Sequence, residues 1–190
     1  MLIVRDDPDL VEADLAAGRF NCPTCEVGVL ARWGFSRRRE LRDGQRFRPR
    51  RGMCRGCGHC HVLLPDVCLL RRHDSAEVIG TAISARGDYW VIADALGVPR
   101  ETVKSWLRRF SSMAERIRAH FTSWVVALVP GRALPEPAGS KRADALEAIG
   151  AATKAAALHL ETTRTPWAWA SALSAGKLIS NTNALWPAPG

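Results

Sequence analysis

The sequence predicts an α+β protein that is mainly helical, with its strands confined to the first third of the chain. Short pieces such as "VGVLARW" at 27–33 and "HVLLP" at 61–65 are bounded by turn residues and indicate strands. From residue 74 onwards, apolar residues recur at helical spacing. The segment "PGRALPEPAGS" at 130–140 is rich in proline and glycine, so it predicts a linker before a helical C-terminal region at 141–190 that ends in a loose tail.

Charge is distributed unevenly along the 190 residues. The net charge of +8 favours an anionic partner, nucleic acid before membrane. Residues 1–20 are acidic, whereas residues 21–73 carry twelve arginines against four acidic residues. The positive excess therefore lies around the cysteines.

No apolar run reaches the length of a membrane span, since the longest candidate, "WVVALV" at 124–129, stops at Pro130. The start of the chain turns acidic after four apolar residues, which is wrong for a secretory signal. We therefore expect a cytoplasmic, nucleoid-associated protein that has no membrane contact. Its six cysteines are expected to be metal ligands or buried thiols rather than disulfides.

Two Cys-x-x-Cys pairs stand 28 residues apart, Cys22 with Cys25 and Cys54 with Cys57. A two-residue gap lets one tight turn present two thiolates to one ion, and two such turns complete a tetrahedron. A closed four-thiolate site is structural rather than catalytic. The pairs thus predict a four-cysteine zinc ribbon within residues 1–70 that holds one structural Zn²⁺. An iron–sulfur cluster fits the same ligands but is disfavoured.

The second pair belongs to the stretch "CRGCGHCH" at 54–61, which offers further metal-binding side chains. We expect His59, Cys60 and His61 to leave the site as the chain becomes a strand. Cys68 is expected to be a buried thiol. Replacement of a ligand by Cys60 or His61 stays open.

Arginines are dense between the two cysteine pairs. The alternation of Arg46, Arg48 and Arg50 predicts that they share one strand face, with only Glu40 and Asp43 nearby to neutralise them. Guanidinium groups bind phosphates bidentately, so this hairpin is expected to lie along a DNA backbone. The candidate contacts are Arg37, Arg38, Arg39, Arg46, Arg48 and Arg50.

Two aromatic residues, Trp33 and Phe35, stand beside these arginines. Their rings could stack on bases, but packing under the ribbon is the favoured expectation.

Residues 75–110 predict a trihelical helix-turn-helix. It is placed in a domain of 71–129 together with a further helix that is expected at 112–129. Helices are expected at 75–85, 89–96 and 101–110, and Trp90, Ile92, Ala93 and Leu96 form the apolar face of the second. The turn at 97–99 uses Gly97 for a positive φ angle. The polar face of the third helix carries residues that suit base edges and phosphates, namely Arg100, Thr102, Lys104, Ser105, Arg108 and Arg109.

These motifs, in the order zinc ribbon, arginine-rich hairpin and "LGVPRETVKSWLRR", resemble the N-terminal DNA-binding region of insertion-sequence transposases. The chain is similar also to small zinc-ribbon and helix-turn-helix proteins found beside integrase and transposase genes in high-GC bacteria. The resemblance covers about residues 20–112. It implies sequence-specific binding of double-stranded DNA in a mobile element, as an accessory that recognises target or element-end DNA and recruits a transposase, an integrase or an associated ATPase.

Catalysis is not expected. The acidic residues after 112 (Glu115, Glu136, Asp144, Glu147 and Glu161) lie on helical or linker sequence, and no strand pattern carries a metal-binding carboxylate triad. Three tryptophans at 167, 169 and 186 suggest either an interaction surface or a small core of the C-terminal region. An oligomer is possible. A transcriptional regulator, a transposase subunit or remnant, and an RNA-binding ribbon are the alternatives.

Overall fold

The computed structural model describes residues 1–25, 27–131, 133–160, 163–180, 186 and 188–189. It is an α+β protein, as predicted. The strand-rich region contains β1 (Leu2–Val4), α1 (Pro8–Ala16), β2 (Leu30–Phe35), β3 (Arg39–Glu40), β4 (Arg46–Phe47), β5 (Arg50–Cys54) and β6 (Cys60–Pro65). The helical region contains α2 (Ala76–Ser84), α3 (Tyr89–Leu96), α4 (Arg100–Leu128), α5 (Lys141–His159) and α6 (Pro166–Leu173).

Four strands form one sheet in the order β1-β6-β5-β2, and β3 and β4 form a separate two-stranded ribbon. β1 runs parallel to β6 with Leu2 opposite Leu63, while the other pairs are antiparallel. α1 begins at the cap of Asp7, whose carboxylate accepts two backbone N–H bonds, and it buries Val11 and Leu15 against the sheet. The acidic N-terminal extension is thus built into the strand-rich region.

The helix α4 is one continuous helix of 29 residues, where the sequence predicted separate helices at 101–110 and 112–129. No glycine or proline interrupts the chain between them. An apolar stripe also runs without a break from Val103 through Phe110, Ile117 and Phe121 to Val125. The same contacts that fold the first half of α4 therefore continue into the second.

The C-terminal helices do not form the separate region that the linker suggested. Residues 133–140 hold neither helix nor strand, but α5 packs along α4 through small side chains such as Ala145, Ala148 and Ala152. One hydrophobic cluster joins α2 through α6. Trp169 is 3% exposed within it, and Trp167 and Trp186 pack against it. These tryptophans belong to or pack against a core that the C-terminal helices share with α2, α3 and α4, whereas the sequence left open an interaction surface or a small core of the C-terminal region alone.

Residues 66–72 join the two regions of the chain through contacts with the C-terminal segment. The buried carboxylate of Asp66 lies 3.0 Å from Nε of Arg164. Ser171 Oγ donates to the carbonyl of Cys68 at 2.6 Å, and the Leu70 amide donates to the carbonyl of Gly176 at 2.8 Å. The predicted loose tail falls largely outside the described residues. None of the described helices combines the length and apolarity that a bilayer crossing requires.

Candidate metal centre and nucleic-acid interface

The four predicted cysteines meet at one point. Their Sγ atoms all lie within 4.8 Å of one another, with Cys22 and Cys57 3.7 Å apart and Cys25 and Cys54 3.6 Å apart. Two turns present them, one before β2 and one between β5 and β6. This cluster could bind a metal ion. Among the residues that the structure describes, it is the group of side chains close enough together to do so.

Backbone groups and a glycine shape this cluster. The amides of Gly56 and Cys57 donate to Cys54 Sγ at 3.3 and 3.4 Å, and the Thr24 amide donates to Cys22 Sγ at 3.4 Å. A Cβ at Gly28 would stand 2.4 Å from Cys54 Sγ and 3.2 Å from Cys25 Sγ. Gly28 therefore has to be glycine for the thiols to converge. Its position three residues after Cys25 was a signal that the sequence interpretation missed.

The pKa values of the cluster's thiols are shifted in different directions. Burial raises the pKa of Cys22, but hydrogen bonds from the Cys25 and Thr24 backbone outweigh it and lower that pKa to about 5. The Cys57 backbone likewise lowers the pKa of Cys54. At Cys57 the His59 backbone lowers the pKa, but burial and hydrogen bonds to the neighbouring cysteines raise it to about 12, because both favour the protonated thiol. A divalent cation bound at this point would favour the thiolate form of all four groups.

The spare metal-binding residues take different positions. Cys60 and His59 are exposed, and Cys68 is buried away from the cluster, as expected. His61 does not leave the site: it is buried, and its Nε2 lies 3.4 Å from Cys22 Sγ. His61 lies outside the group of side chains that converge on one point, so its place is that of a hydrogen-bond partner to a ligand.

The arginines of the hairpin fall into two groups. Arg46, Arg48 and Arg50 do not share a strand face, because Pro49 separates β4 from β5 and Arg50 turns inward. The Arg50 side chain is 14% exposed, and its guanidinium donates to Glu12 of α1 and to the Gly34 carbonyl. The acidic residue that neutralises Arg50 is Glu12, which lies on α1, a helix that the sequence interpretation did not predict.

The remaining hairpin arginines lie at the surface. Arg46 is paired with Glu40 at 2.9 Å, and Arg48 donates to the Ser36 carbonyl at 3.2 Å. Arg39 is exposed in β3. Arg37 and Arg38 are exposed in the β2–β3 connection and have no ion-pair or hydrogen-bond partner in the portion of the chain that is described.

The helices α3 and α4 are joined by a three-residue turn. Gly97 adopts a left-handed conformation with φ of 62°, and Val98 is buried in the core between the helices. The bounds of α3 agree with the prediction, although Trp90, expected on its buried face, is 48% exposed. The turn leads directly into α4, whose first two residues, Arg100 and Glu101, are exposed.

The candidate contacts of α4 divide by exposure. Arg100, Lys104 and Arg108 lie one turn apart on the exposed face. Arg100 forms an exposed ion pair with Asp94 at 3.0 Å, which is weak and exchangeable. Thr102 and Ser105 are half-buried at the margin of this face.

Arg109 lies differently. Its Nε donates to the Ser180 carbonyl at 3.1 Å, so its guanidinium braces the C-terminal segment. We therefore omit it from the contact set proposed below.

The fold and the site define a class: an α+β protein with a four-cysteine cluster able to hold a metal ion. Comparison with protein-family models, with curated proteins and with solved structures finds no match to this chain. The sequence motifs and the geometry above are therefore what a functional proposal has to use.

Proposed function

We propose that the protein binds double-stranded DNA in a sequence-specific manner, with α3, the Gly97 turn and α4 acting as a helix-turn-helix. The observation that carries the proposal is the exposed cationic face formed by Arg100, Lys104 and Arg108 at the start of α4. The start of a recognition helix is the segment that enters the major groove, where Arg and Lys read guanine edges or phosphates. The core behind this face holds α4 rigidly on α2, α3 and α5.

We further propose that the four-cysteine cluster is the structural zinc site of a zinc ribbon. With Zn–S bonds of about 2.3 Å, tetrahedral geometry requires sulfurs about 3.8 Å apart. The observed separations of 3.7 and 3.6 Å support this fit. Four thiolates leave no open position for water, so the ion would stabilise the fold rather than perform chemistry.

The hairpin supplies the sequence-independent share of affinity in this proposal. Arg37 and Arg38 are exposed and unpaired among the described residues, so they can contact phosphates without first breaking an ion pair. Arg50 is excluded from this role because it is buried against Glu12. The ribbon and α4 thus contribute different kinds of contact.

A role beside the recombination machinery of a mobile element is supported by the resemblance to the DNA-binding region of transposases. In this role the protein marks target or element-end DNA for a transposase, an integrase or an associated ATPase, and it performs no strand chemistry itself. The expected result is that the purified protein neither nicks nor joins DNA with Mg²⁺ or Mn²⁺. Cleavage that depended on Glu147 of α5 would contradict this aspect of the proposal.

The test of DNA recognition begins with selection of a preferred duplex from random sequences by the metal-loaded protein. Lys104→Ala should weaken binding to the selected duplex by about 1–3 kcal/mol and leave random duplex nearly unchanged. The double change Arg37→Ala with Arg38→Ala should weaken both duplexes alike and reduce the dependence of affinity on salt. Lys154 is an exposed lysine of α5, and Lys154→Ala is the matched control. It should change the affinity for neither duplex.

Two results would contradict the proposal. If no sequence is enriched, specific recognition is wrong. If Lys104→Ala weakens specific and random duplex equally, the assignment of α4 as the reading helix is wrong.

A further inference from the structure

Two aromatic rings lie at the surface of the edge strand β2, against the expectation that they pack under the ribbon. Trp33 is 52% exposed and Phe35 48% exposed. A bulge interrupts the pairing of β2 with β5 between Arg32 and Phe35. Within it Gly34 has φ of 101°, and a Cβ there would meet no atom within 4 Å, so this glycine serves the backbone rather than packing. The bulge thus holds both rings outward at the sheet edge.

The two rings differ in what contacts them. Phe35 is covered by guanidinium groups, with Arg50 Cζ 4.3 Å and Arg48 Cζ 5.1 Å from its ring centroid. Trp33 has no aromatic, cationic or hydrogen-bond partner among the residues that the structure describes. A large indole surface is therefore open to a ligand.

The charges around Trp33 select the kind of ligand. Arg37 and Arg38 follow it closely in the chain and are exposed without partners in the described residues. Two acidic groups of the strand-rich region are engaged with other arginines, since Glu12 pairs with Arg32 and Arg50 and Glu40 pairs with Arg46. An exposed aromatic face, followed four and five residues later in the chain by two exposed guanidinium groups, suits a nucleotide. Its base can stack on the ring while its phosphates meet the cations.

A base offers its face to an outside ring only where it is unpaired. We propose that Trp33 is a stacking site for an unpaired base of DNA, and that Arg37 and Arg38 hold the phosphates beside that base. The inference rests on the proposed DNA-binding function and assigns the strand-rich region to single-stranded DNA, while α4 binds duplex. Such a division would suit DNA that is locally opened or that ends in an overhang.

The experiment uses the metal-loaded full chain and labelled oligomers of about twelve nucleotides, within the usual site size. The probes are single-stranded thymidine DNA, the matching duplex and a uridine RNA, each measured by fluorescence anisotropy. Trp33→Leu keeps an apolar side chain without an aromatic face, and it should weaken binding to the single strand by about tenfold while duplex binding changes less than about twofold. Trp33→Phe should recover most of the loss.

Leu158→Ala is the control, because Leu158 is an exposed apolar side chain like Trp33 but lies on α5, outside the proposed DNA-binding surfaces. It should leave single-strand binding unchanged. The single strand should also quench tryptophan fluorescence in the wild type, and Trp33→Phe should abolish that share of the quenching.

Each contrary outcome has a defined meaning. Stacking would be overturned if Trp33→Leu and Trp33→Phe lost the same affinity for the single strand. It would also be overturned if Trp33→Leu weakened duplex and single-strand binding equally, or if it changed the oligomeric state and not the affinity. Tighter binding of the RNA than of the DNA would overturn the choice of DNA. If the single strand binds through Trp33 while Lys104→Ala has no effect on duplex, this inference stands and the helix-turn-helix proposal fails.

Discussion

In the strand-rich region, residues 1–65, the buried side chains form small clusters, one of them built around Leu30 and Leu63. In the helical region, by contrast, a continuous cluster extends from Leu69 to Ile179 and includes the largest buried rings, Trp106, Phe110 and Phe121. The cluster around Leu30 also includes Cys22 and Cys54 of the candidate metal centre. The cysteines thus form part of the small core of the strand-rich region, whereas the core of the helical region contains none of the four cluster cysteines.

The largest expected effect is loss of the metal. Chelation or Cys22→Ser should unfold the strand-rich region and leave the helices folded, since structural zinc in isolated finger peptides contributes about 10–16 kcal/mol of binding free energy. Hydrogen exchange should rise at the amides of β5 and β6, while helical circular dichroism changes little. Metal analysis should give about one zinc per chain.

The controls for that prediction are the two cysteines outside the cluster. Cys60→Ser and Cys68→Ser should retain the metal, because Cys60 is exposed in β6 and Cys68 lies in a separate apolar cluster. Loss of zinc in Cys60→Ser would show that the ligand set is wrong.

A second effect is expected at Gly28, beneath the cluster. Gly28→Ala places a methyl group 2.4 Å from the position of Cys54 Sγ, so we expect metal affinity to fall by about 10–100-fold. Competition with a zinc-binding dye measures this. Gly56→Ala is the control beside the same cluster, because its Cβ would stand 3.5 Å from Gly28 Cα and 3.7 Å from Cys54 Sγ, which are ordinary contacts. Equal affinities in the two variants would contradict the steric argument.

The helical region has its own pair of glycines. A Cβ at Gly80 would stand 2.0 Å from Trp167 Cδ2, so Gly80→Ala should displace the indole from α2 and lower the free energy of unfolding by about 1–3 kcal/mol. At Gly150 a Cβ would meet nothing within 4 Å, and Gly150→Ala should stabilise α5 by up to about 1 kcal/mol. Urea unfolding of the metal-loaded protein measures both. The same sign for both changes would contradict the packing of α6 on α2.

The smallest effect concerns the junction between the two regions. Burial raises the pKa of Asp66 to about 6, although the Arg164 guanidinium opposes the shift. The folded state therefore binds this proton more tightly than the unfolded state, whose carboxyl has a pKa of about 3.9. The contribution of the Asp66 carboxyl to the free energy of unfolding is fully present below about pH 4, and it is lost as the pH rises through about 6.

Asp66→Asn should remove that pH dependence, which we expect to be of the order of 1 kcal/mol after allowance for solvent screening. Because protons compete with the metal for thiolates in the same range, the measured quantity is the difference in unfolding free energy between the two proteins at each pH. A difference that stays constant from pH 4 to pH 7 would contradict a raised pKa at Asp66.

Much of the local structure was readable from residue patterns. The α3 helix has its predicted bounds, and Ser140 and Thr165 cap α5 and α6 with side-chain hydrogen bonds. Where the pattern stayed local and strong, it predicted the element. It was wrong at residues 110–112, where one helix was expected to end and another to begin, because the apolar stripe continues through this segment in a single helix.

The sequence by itself determined which four cysteines converge, because the spacing within each pair fixes a tight turn and the chemistry of one ion fixes four ligands. The tertiary structure alone decided which arginines remain free. Glu12 lies 38 residues before Arg50 in the chain, and only the packing of α1 on the sheet brings their charges together. The tertiary structure also decided that Trp33 is exposed to solvent and Trp169 is buried. Burial of a ring depends on which residues, distant in the chain, pack over it, and the local spacing of apolar residues does not specify them.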